Sequence, residues 1–409
     1  MNENRKIIVI ADDFTGAAEI GGIGLRHGLK VAIETEPIDK NGVDLLVIAT
    51  NTRSMNGTEA AKHISEITDK ILKLNPLLIY KKIDSVLRGN IAIELDAQLK
   101  AMNTKRSVII AANPVFNRII KNGNYFIDEI PLNETCFAKD FLSPAQSNNV
   151  TEVLSAGNNL TIANHKPGDI IPEEGLIMGD VENLEDLRQW TGYINDDTLM
   201  AGASGFFNAI LTSMKLFKQN NAIEIKPFGE KVLFVLGSAY PKDSNLLEDM
   251  KANGHFHSNM PLDIYLDSEY PQVLFDNWLK EVLHALQTHN KVIISTIHSG
   301  SKEKNISKRI KNTIAELIEK ISKEVQLDEI LIEGGSTTSE ILRKLEIKRL
   351  LPLQELDTGV IRMTIDKMPN TCLTTKPGSY KWPENVWLQQ EIKRYYKEQG
   401  SKIKTRANG

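Results

Sequence analysis

Cysteine is nearly absent from this chain. The two among 409 residues, Cys136 and Cys372, lie far apart without metal-ligand spacing, which excludes a disulfide framework and reads as two buried apolar thiols. Long hydrophobic runs are absent too: nothing approaches the roughly 18 apolar residues of a membrane span. MNENRKIIVI lacks the apolar core and small-residue cleavage site of a secretory leader, so a cytoplasmic protein with no membrane partner is expected. Neither sign of charge dominates, since 49 basic against 53 acidic side chains leave a formal charge of −4. That excludes a global field for nucleic acid, and any anionic ligand has to be held by local groups. Internal repeats, coiled-coil heptads and zinc signatures are missing. His255 and His257 in GHFH are too bare to mark a metal site, and no metal ligand is assigned. G-x-x-x-x-G-K-[ST] does not occur, and G-x-G-x-x-G is absent after the first apolar run, which removes the P-loop and counts against a nucleotide-linked dehydrogenase.

What is present is alternation. A chain of 409 residues, 41% hydrophobic and 25% charged, is an ordinary globular sequence too long for one core, so two domains of roughly 200 residues are expected. The polar stretch 218–229, with Pro227 and Gly229, is the candidate linker and sets the domains at 1–228 and 229–409. Lys6 to Ala11 is a β-branched run with no polar face, which predicts a strand covered on both sides in a parallel sheet. Asp12 and Asp13 follow at its carboxyl end, the edge at which open α/β sheets bind ligands. Thr15 and Gly16 open a small-residue helix reaching Gly28, and exposed amides at a helix start favour an anion. One Asp serves naturally as an N-cap; a doubled Asp is harder to explain as one cap.

Val31 to Thr35, Asp44 to Thr50 and Leu77 to Ile83 predict further strands, with a helix across Glu59 to Leu74: an α/β fold with mainly parallel sheets. NTRS brings Arg53 to the same edge, and Arg is shaped for bidentate contact with carboxylate or phosphate. YKKIDSVLRGN then crowds Lys81, Lys82, Asp84, Ser85, Arg88, Gly89 and Asn90 at a strand-to-helix junction. That mixture suits a polyhydroxylated anion, with cations holding the charge and Asp84 accepting from hydroxyls; a surface salt-bridge cluster explains the same residues without a ligand. Ile91 to Met102 predicts a helix, Val108 to Ala112 a strand, and Asn122 to Ser143 a turn-rich, irregular excursion over the site. Alternation resumes at Gly175 to Asp180, Leu184 to Trp190 and Thr198 to Ala203, followed by an apolar helix reaching Met214.

The second half restarts at Lys231 to Gly237, with Gly237 and Ser238 at a strand end. Lys291 to Ser295 predicts a strand, Ile306 to Glu324 an amphipathic helix, and Glu329 to Ile332 a strand leading into EGGSTTSEILRKL. Gly334 and Gly335 permit close backbone approach there, Ser336 and Thr337 begin a run of hydroxyls, and the following helix points its N-terminus at the same place. This is the strongest phosphate-type signal in the chain. Thr358-Gly359 and Thr375-Lys376-Pro377-Gly378 read as turns at strand ends, and Lys397 to Gly409 as a frayed tail.

Taken together, these stretches resemble the four-carbon acid sugar kinase family. The landmarks are ADDFTG at 11–16, NTRS at 51–54, KIDSVLRGN at 82–90 and NPVFNRIIKNG at 113–123. IPLNETCFAKD at 130–140, GASG at 202–205, LGSAYP at 236–241 and EGGSTTSEIL at 333–342 follow. Val86 stands where the family carries Thr, Lys381 where it carries a second Gly, and Thr358-Gly359 where it carries Pro-Gly. The resemblance implies an N-terminal substrate domain, a C-terminal nucleotide domain, and an active site in the cleft between them. It implies ATP- and Mg²⁺-dependent phosphorylation of D-threonate, D-erythronate or a 3-oxo-tetronate. Asp12 or Asp13 would take the hydroxyl proton, with Asp13 favoured. Arg53, Lys82 and Arg88 would hold the acid, with Asp84, Ser85, Gly89 and Asn90 beside them. Gly237, Ser238, Gly334, Gly335, Ser336, Thr337, Gly359, Lys376 and Gly378 are the nucleotide candidates. The competing reading is a non-catalytic sugar-acid or nucleotide sensor on the same fold; homo-oligomer formation is left open.

Overall fold

The computed structural model describes residues 5–38, 42–139, 145–155, 161–216, 227–237, 244–266, 271–296, 304–378, 380–383 and 386. Ser238, most of the candidate linker and the tail from Lys397 lie outside them. The chain divides into two compact units, Met1–Gln219 with Lys348–Leu350, and Asn220–Ile347 with Leu351–Gly409.

The strands of the first unit are β1 (Ile7–Ala11), β2 (Val31–Glu34), β3 (Leu45–Ala49), β4 (Leu78–Lys82), β5 (Arg106–Ile110), β6 (Arg118–Lys121), β7 (Asn124–Ile127), β8 (Ile130–Pro131), β9 (Ile162–His165), β10 (Gly175–Gly179) and β11 (Thr198–Gly202). Its main sheet runs β2-β3-β1-β4-β11-β5-β10-β9. All these pairings are parallel. β1 is buried along its whole length, as an unbroken apolar run requires when it is paired on both edges and covered on both faces. The register sets Ala11 beside Ala49 and Lys82, and Lys82 beside Gly202. The loops leaving β1, β3, β4 and β11 therefore share one edge. The strand order reverses between β1 and β4, the position where such sheets hold ligands.

The excursion after β5 is more regular than the sequence reading allowed. β6, β7 and β8 form a small antiparallel sheet. Asn122 and Gly123 take positive φ of 49° and 73° in its first turn, as do Asp128 and Glu129 at 49° and 67° in the second. Left-handed turn residues match the twist of a tight hairpin, and Asn-Gly between Ile119-Ile120 and Tyr125-Phe126-Ile127 was the available signal. The Asp180 carboxylate accepts the Asn122 and Gly123 amides at 2.7 and 3.0 Å and pins that turn to the main sheet. Cys136, expected to be buried, is exposed on the segment beyond, whereas Cys372 is buried.

The second unit contains β12 (Val232–Leu236), β13 (Phe256–Asn259), β14 (Lys291–Ser295), β15 (Glu329–Glu333), β16 (Arg349–Asp357, of which Arg349 and Leu350 count with the first unit), β17 (Val360–Ile365) and β18 (Met368–Lys376). The order is β13-β14-β12-β15-β18-β17-β16. Pairing is parallel as far as β18 and antiparallel from β18 to β17. The sheet is therefore mixed. Leu236 lies beside Glu333, and Glu333 beside Lys376, so Gly237, Gly334 and Pro377 leave the sheet together. Val232, Phe234, Leu331 and Trp382 are among the residues of its apolar core. Among the described residues no helix is long and apolar enough to cross a membrane.

Candidate active site

The doubled Asp is resolved by a division of labour. Asp13 is the N-cap of the helix Phe14–Arg26. Its Oδ1 accepts the Gly16 amide at 2.8 Å, and its Oδ2 accepts the Thr15 hydroxyl at 2.5 Å and Arg53 Nη1 at 2.8 Å. Asp12 receives the fork of the same guanidinium, Nε at 2.7 Å and Nη2 at 3.0 Å. Arg53 Nη1 also lies 3.3 Å from Asp84, so one cation is shared by three carboxylates. Burial pushes the Asp13 carboxyl up, but Arg53, Lys82, Thr15 and Gly16 outweigh it and hold the group below its usual range. Burial also disfavours the Arg53 cation, and the three carboxylates reverse that, raising its pKa further.

The loop after β4 is built around Asp84. Its Oδ2 accepts the Val86 and Arg88 amides at 3.3 and 3.1 Å, and Arg88 adds a two-point contact, Nε to Oδ2 and Nη2 to Oδ1, both 2.8 Å. Burial raises the Asp84 carboxyl; Arg53 and Arg88 overcome this and hold it well below the carboxylate range. Gly89 adopts φ 95°, where a side chain would also meet Arg53 Cγ at 2.9 Å, so glycine makes room for the central cation. Asn90 donates to the carbonyls of Thr52 and Met55 at 3.1 and 2.9 Å and fixes the loop that carries Arg53. Lys82 is buried; its Nζ donates to Ile83 O at 2.9 Å and stands 3.9 Å from Glu19. Its neighbour Lys81 pairs with Glu94 at 2.5 Å, both side chains essentially sealed from solvent.

The structure adds residues that the sequence reading gave no role. Arg118, on β6, donates to the Ser85 hydroxyl at 2.5 Å, and Tyr125, on β7, donates to the Ser85 carbonyl at 2.5 Å. Arg88 and Arg118 both face the Phe137 ring, at 5.6 and 5.9 Å from its centroid. Ser204 donates to Glu19 at 2.7 Å. NPVFNRIIKNG, IPLNETCFAKD and GASG contain three of these residues, Arg118, Phe137 and Ser204, so their positions were visible although their reach was not.

In the second unit, the nucleotide candidates gather at the edge beyond β12, β15 and β18. A side chain at Gly237 would meet Thr337 Oγ1 at 3.0 Å, and Gly334 takes φ 99°. The helix Gly335–Lys344 starts there without a side-chain cap. Its first-turn amides have no carbonyl one turn back and point out of the helix. Gly359 turns β16 into β17 against Tyr380 and Pro377, beside Gly378. Lys376 is engaged within the fold: Nζ lies 3.0 Å from Glu333, donates to Pro377 O and Tyr380 O at 3.1 and 2.6 Å, and sits over Trp382. Burial lowers its pKa and Glu333 opposes that shift.

Two family models match the chain. Residues 7–210 match the family model for a sugar-binding N-terminal domain, and residues 233–380 the model for a nucleotide-binding C-terminal domain. The chain belongs to the four-carbon acid sugar kinase family. It is 30% identical over 234 residues to a D-threonate kinase of Salmonella typhimurium, covering 53% of this chain and 55% of that one. It is 26% identical over 328 residues to a D-erythronate kinase of Heliobacterium modesticaldum, covering 72% of each. The chain thus spans about half the length of the first of these relatives. A solved protein from Salmonella typhimurium LT2 shares the fold, with a TM-score of 0.73 and 18% identity over 95% of this chain and 98% of that one.

Proposed function

We propose that this protein is an ATP-dependent kinase that phosphorylates a hydroxyl of a four-carbon sugar acid of the D-threonate, D-erythronate or 3-oxo-tetronate type. The observation that carries this reading is the acid–base cluster Asp12, Asp13, Arg53 and Asp84, set at the strand-order reversal of the unit that matches a sugar-binding domain. Phosphoryl transfer to an alcohol demands positioning, charge neutralisation and a proton acceptor, with little covalent work for the protein. Asp13 is the acceptor in this proposal: its side chain is 16% exposed against 4% for Asp12, and its neighbours keep it ionised. Asp12 holds the Arg53 fork in place, and Asp84, immobilised by two guanidiniums, accepts from substrate hydroxyls. The helix that Asp13 caps directs its positive end at the same place.

The glycine and hydroxyl edge of the second unit is the proposed ATP site, with the amides of Gly335, Ser336 and Thr337 as phosphate donors. Magnesium-bound ATP supplies the phosphoryl group with its charge partly neutralised. Among the described residues no group of three or more His, Cys, Asp or Glu side chains forms a metal cage, which fits an ion held chiefly through nucleotide phosphates. The test is ADP release across a panel of four-carbon sugar acids, with and without chelator. Chelator-sensitive release on one acid is expected; tight ATP binding without turnover on any acid supports the sensor instead.

A further inference from the structure

A kinase for sugar acids has to distinguish its substrate from the neutral sugar alcohol of the same length, and the obvious cations at the edge are already engaged. Arg53 faces Asp12, Asp13 and Asp84. Arg88 is paired with Asp84, and Lys82 has Glu19 at 3.9 Å. A carboxylate arriving at any of these would compete with a protein carboxylate fixed in the same place. Arg118 differs: among the described residues it forms no ion pair with a carboxylate. One of its nitrogens, Nη1, is occupied by the Ser85 hydroxyl, and its Cζ lies over the Phe137 ring, 5.9 Å from the centroid.

This arrangement fixes the guanidinium without neutralising it. The Ser85 hydroxyl accepts one hydrogen bond and carries no charge. The aromatic ring attracts the cation without bringing a neutralising charge. The remaining N–H groups are left to a planar anion. β6 is anchored as well, because Asp180 holds the β6–β7 turn and Tyr125 ties β7 to the Ser85 carbonyl.

Building on the sugar-acid reading above, we infer that Arg118 binds the carboxylate of the substrate and is the residue that selects acid over alcohol. Arg88, which also lies over the Phe137 ring, holds Asp84 for the hydroxyls.

The experiment is calorimetric binding of D-threonate, D-erythronate and a 3-oxo-tetronate, and of the uncharged tetritols threitol and erythritol, to the full-length protein and to Arg118→Ala and Arg118→Lys. Thermal melts of the variants confirm folding, and ADP release is measured in parallel. For the acid that the wild type binds, Arg118→Ala is expected to lose about 10- to 100-fold in affinity, the range of a charge-assisted pair. Affinity for the tetritol should stay within about threefold. Arg118→Lys keeps the charge but not the fork, and its loss should be intermediate. Normal acid binding by folded Arg118→Ala, with wild-type turnover intact, overturns the assignment while leaving the kinase reading standing. An equal loss for acid and tetritol also overturns it. Acid-selective loss in a protein that releases no ADP supports Arg118 and removes the kinase reading. Failure of the wild type to bind any of the acids overturns both.

Discussion

Asp13 carries two duties that pull its basicity in one direction. Each donor that fixes the carboxylate as a helix cap also stabilises its charge, so the group is ionised and well placed yet intrinsically a weak base. In phosphoryl transfer this is tolerable, because the proton is surrendered late, as charge develops on the attacking oxygen. Asn caps a helix about as well as Asp, so Asp13→Asn separates the duties. It should keep the fold and ATP affinity and lower kcat by about 10²- to 10⁴-fold, the usual worth of a general base, as read from steady-state ADP release. An inactive Asp12→Asn beside a normal Asp13→Asn would reverse the assignment, and full turnover by both would pass the role to Asp84. The motifs around these residues were legible in the sequence because each starts within two residues of the end of an apolar strand. Their pairing was not. Whether Arg53 meets a substrate or three protein carboxylates depends on distances that residue types alone do not encode.

At the scale of elements, the loop after β4 and the helix behind it should respond differently to acid and to mutation. Asp13 and Asp84 both have folded pKa values below those of the unfolded chain. Below their unfolded value of about 3.9 the unfolded state binds more protons. Their contribution is therefore complete above that value and is lost as pH falls through the folded one. Denaturant melts between pH 6 and 2 should show stability falling with acid, and Asp84→Asn should flatten that slope; an unchanged slope would mean that Asp84 is not held as the structure has it. Lys81 on β4 and Glu94 on the helix Ile91–Met102 form a sealed pair whose desolvation is costly. Burial raises the Glu94 carboxyl, and Lys81 opposes this. Glu94→Leu alone should destabilise by roughly 3–5 kcal/mol by stranding a buried cation, and adding Lys81→Met should restore most of it. Equal losses in single and double variants would refute that account. The strands and this helix were readable from apolar period. The β6–β7 hairpin was not, because its Asn-Gly turn lay in a stretch dominated by turn-forming residues, and with it went Arg118 and Tyr125.

For the whole molecule, the proposal places the acid on one unit and the nucleotide on the other, and each ligand should leave its own signature. A ligand at about 100 times its Kd stabilises the state that binds it by about 2.7 kcal/mol. That corresponds to roughly 100-fold slower exchange for amides that open only with the unit concerned. Hydrogen exchange with the sugar acid alone should slow the loop amides of Val86 and Arg88 and the cap amide of Gly16, already directed at Asp84 and Asp13. Exchange with ATP and magnesium alone should act elsewhere. The amides of Gly335, Ser336 and Thr337 begin a helix and lack an acceptor one turn back, so they should exchange fast in the free protein and be protected when phosphate oxygens become their acceptors. Mass-spectrometric peptide mapping separates the two regions, since one falls within 12–90 and the other within 333–345. Protection by ATP at Gly16 and Arg88, with none at Gly335 to Thr337, would show that the nucleotide has been assigned to the wrong unit. Protection of both regions by the sugar acid alone would remove the division of ligands between the units altogether.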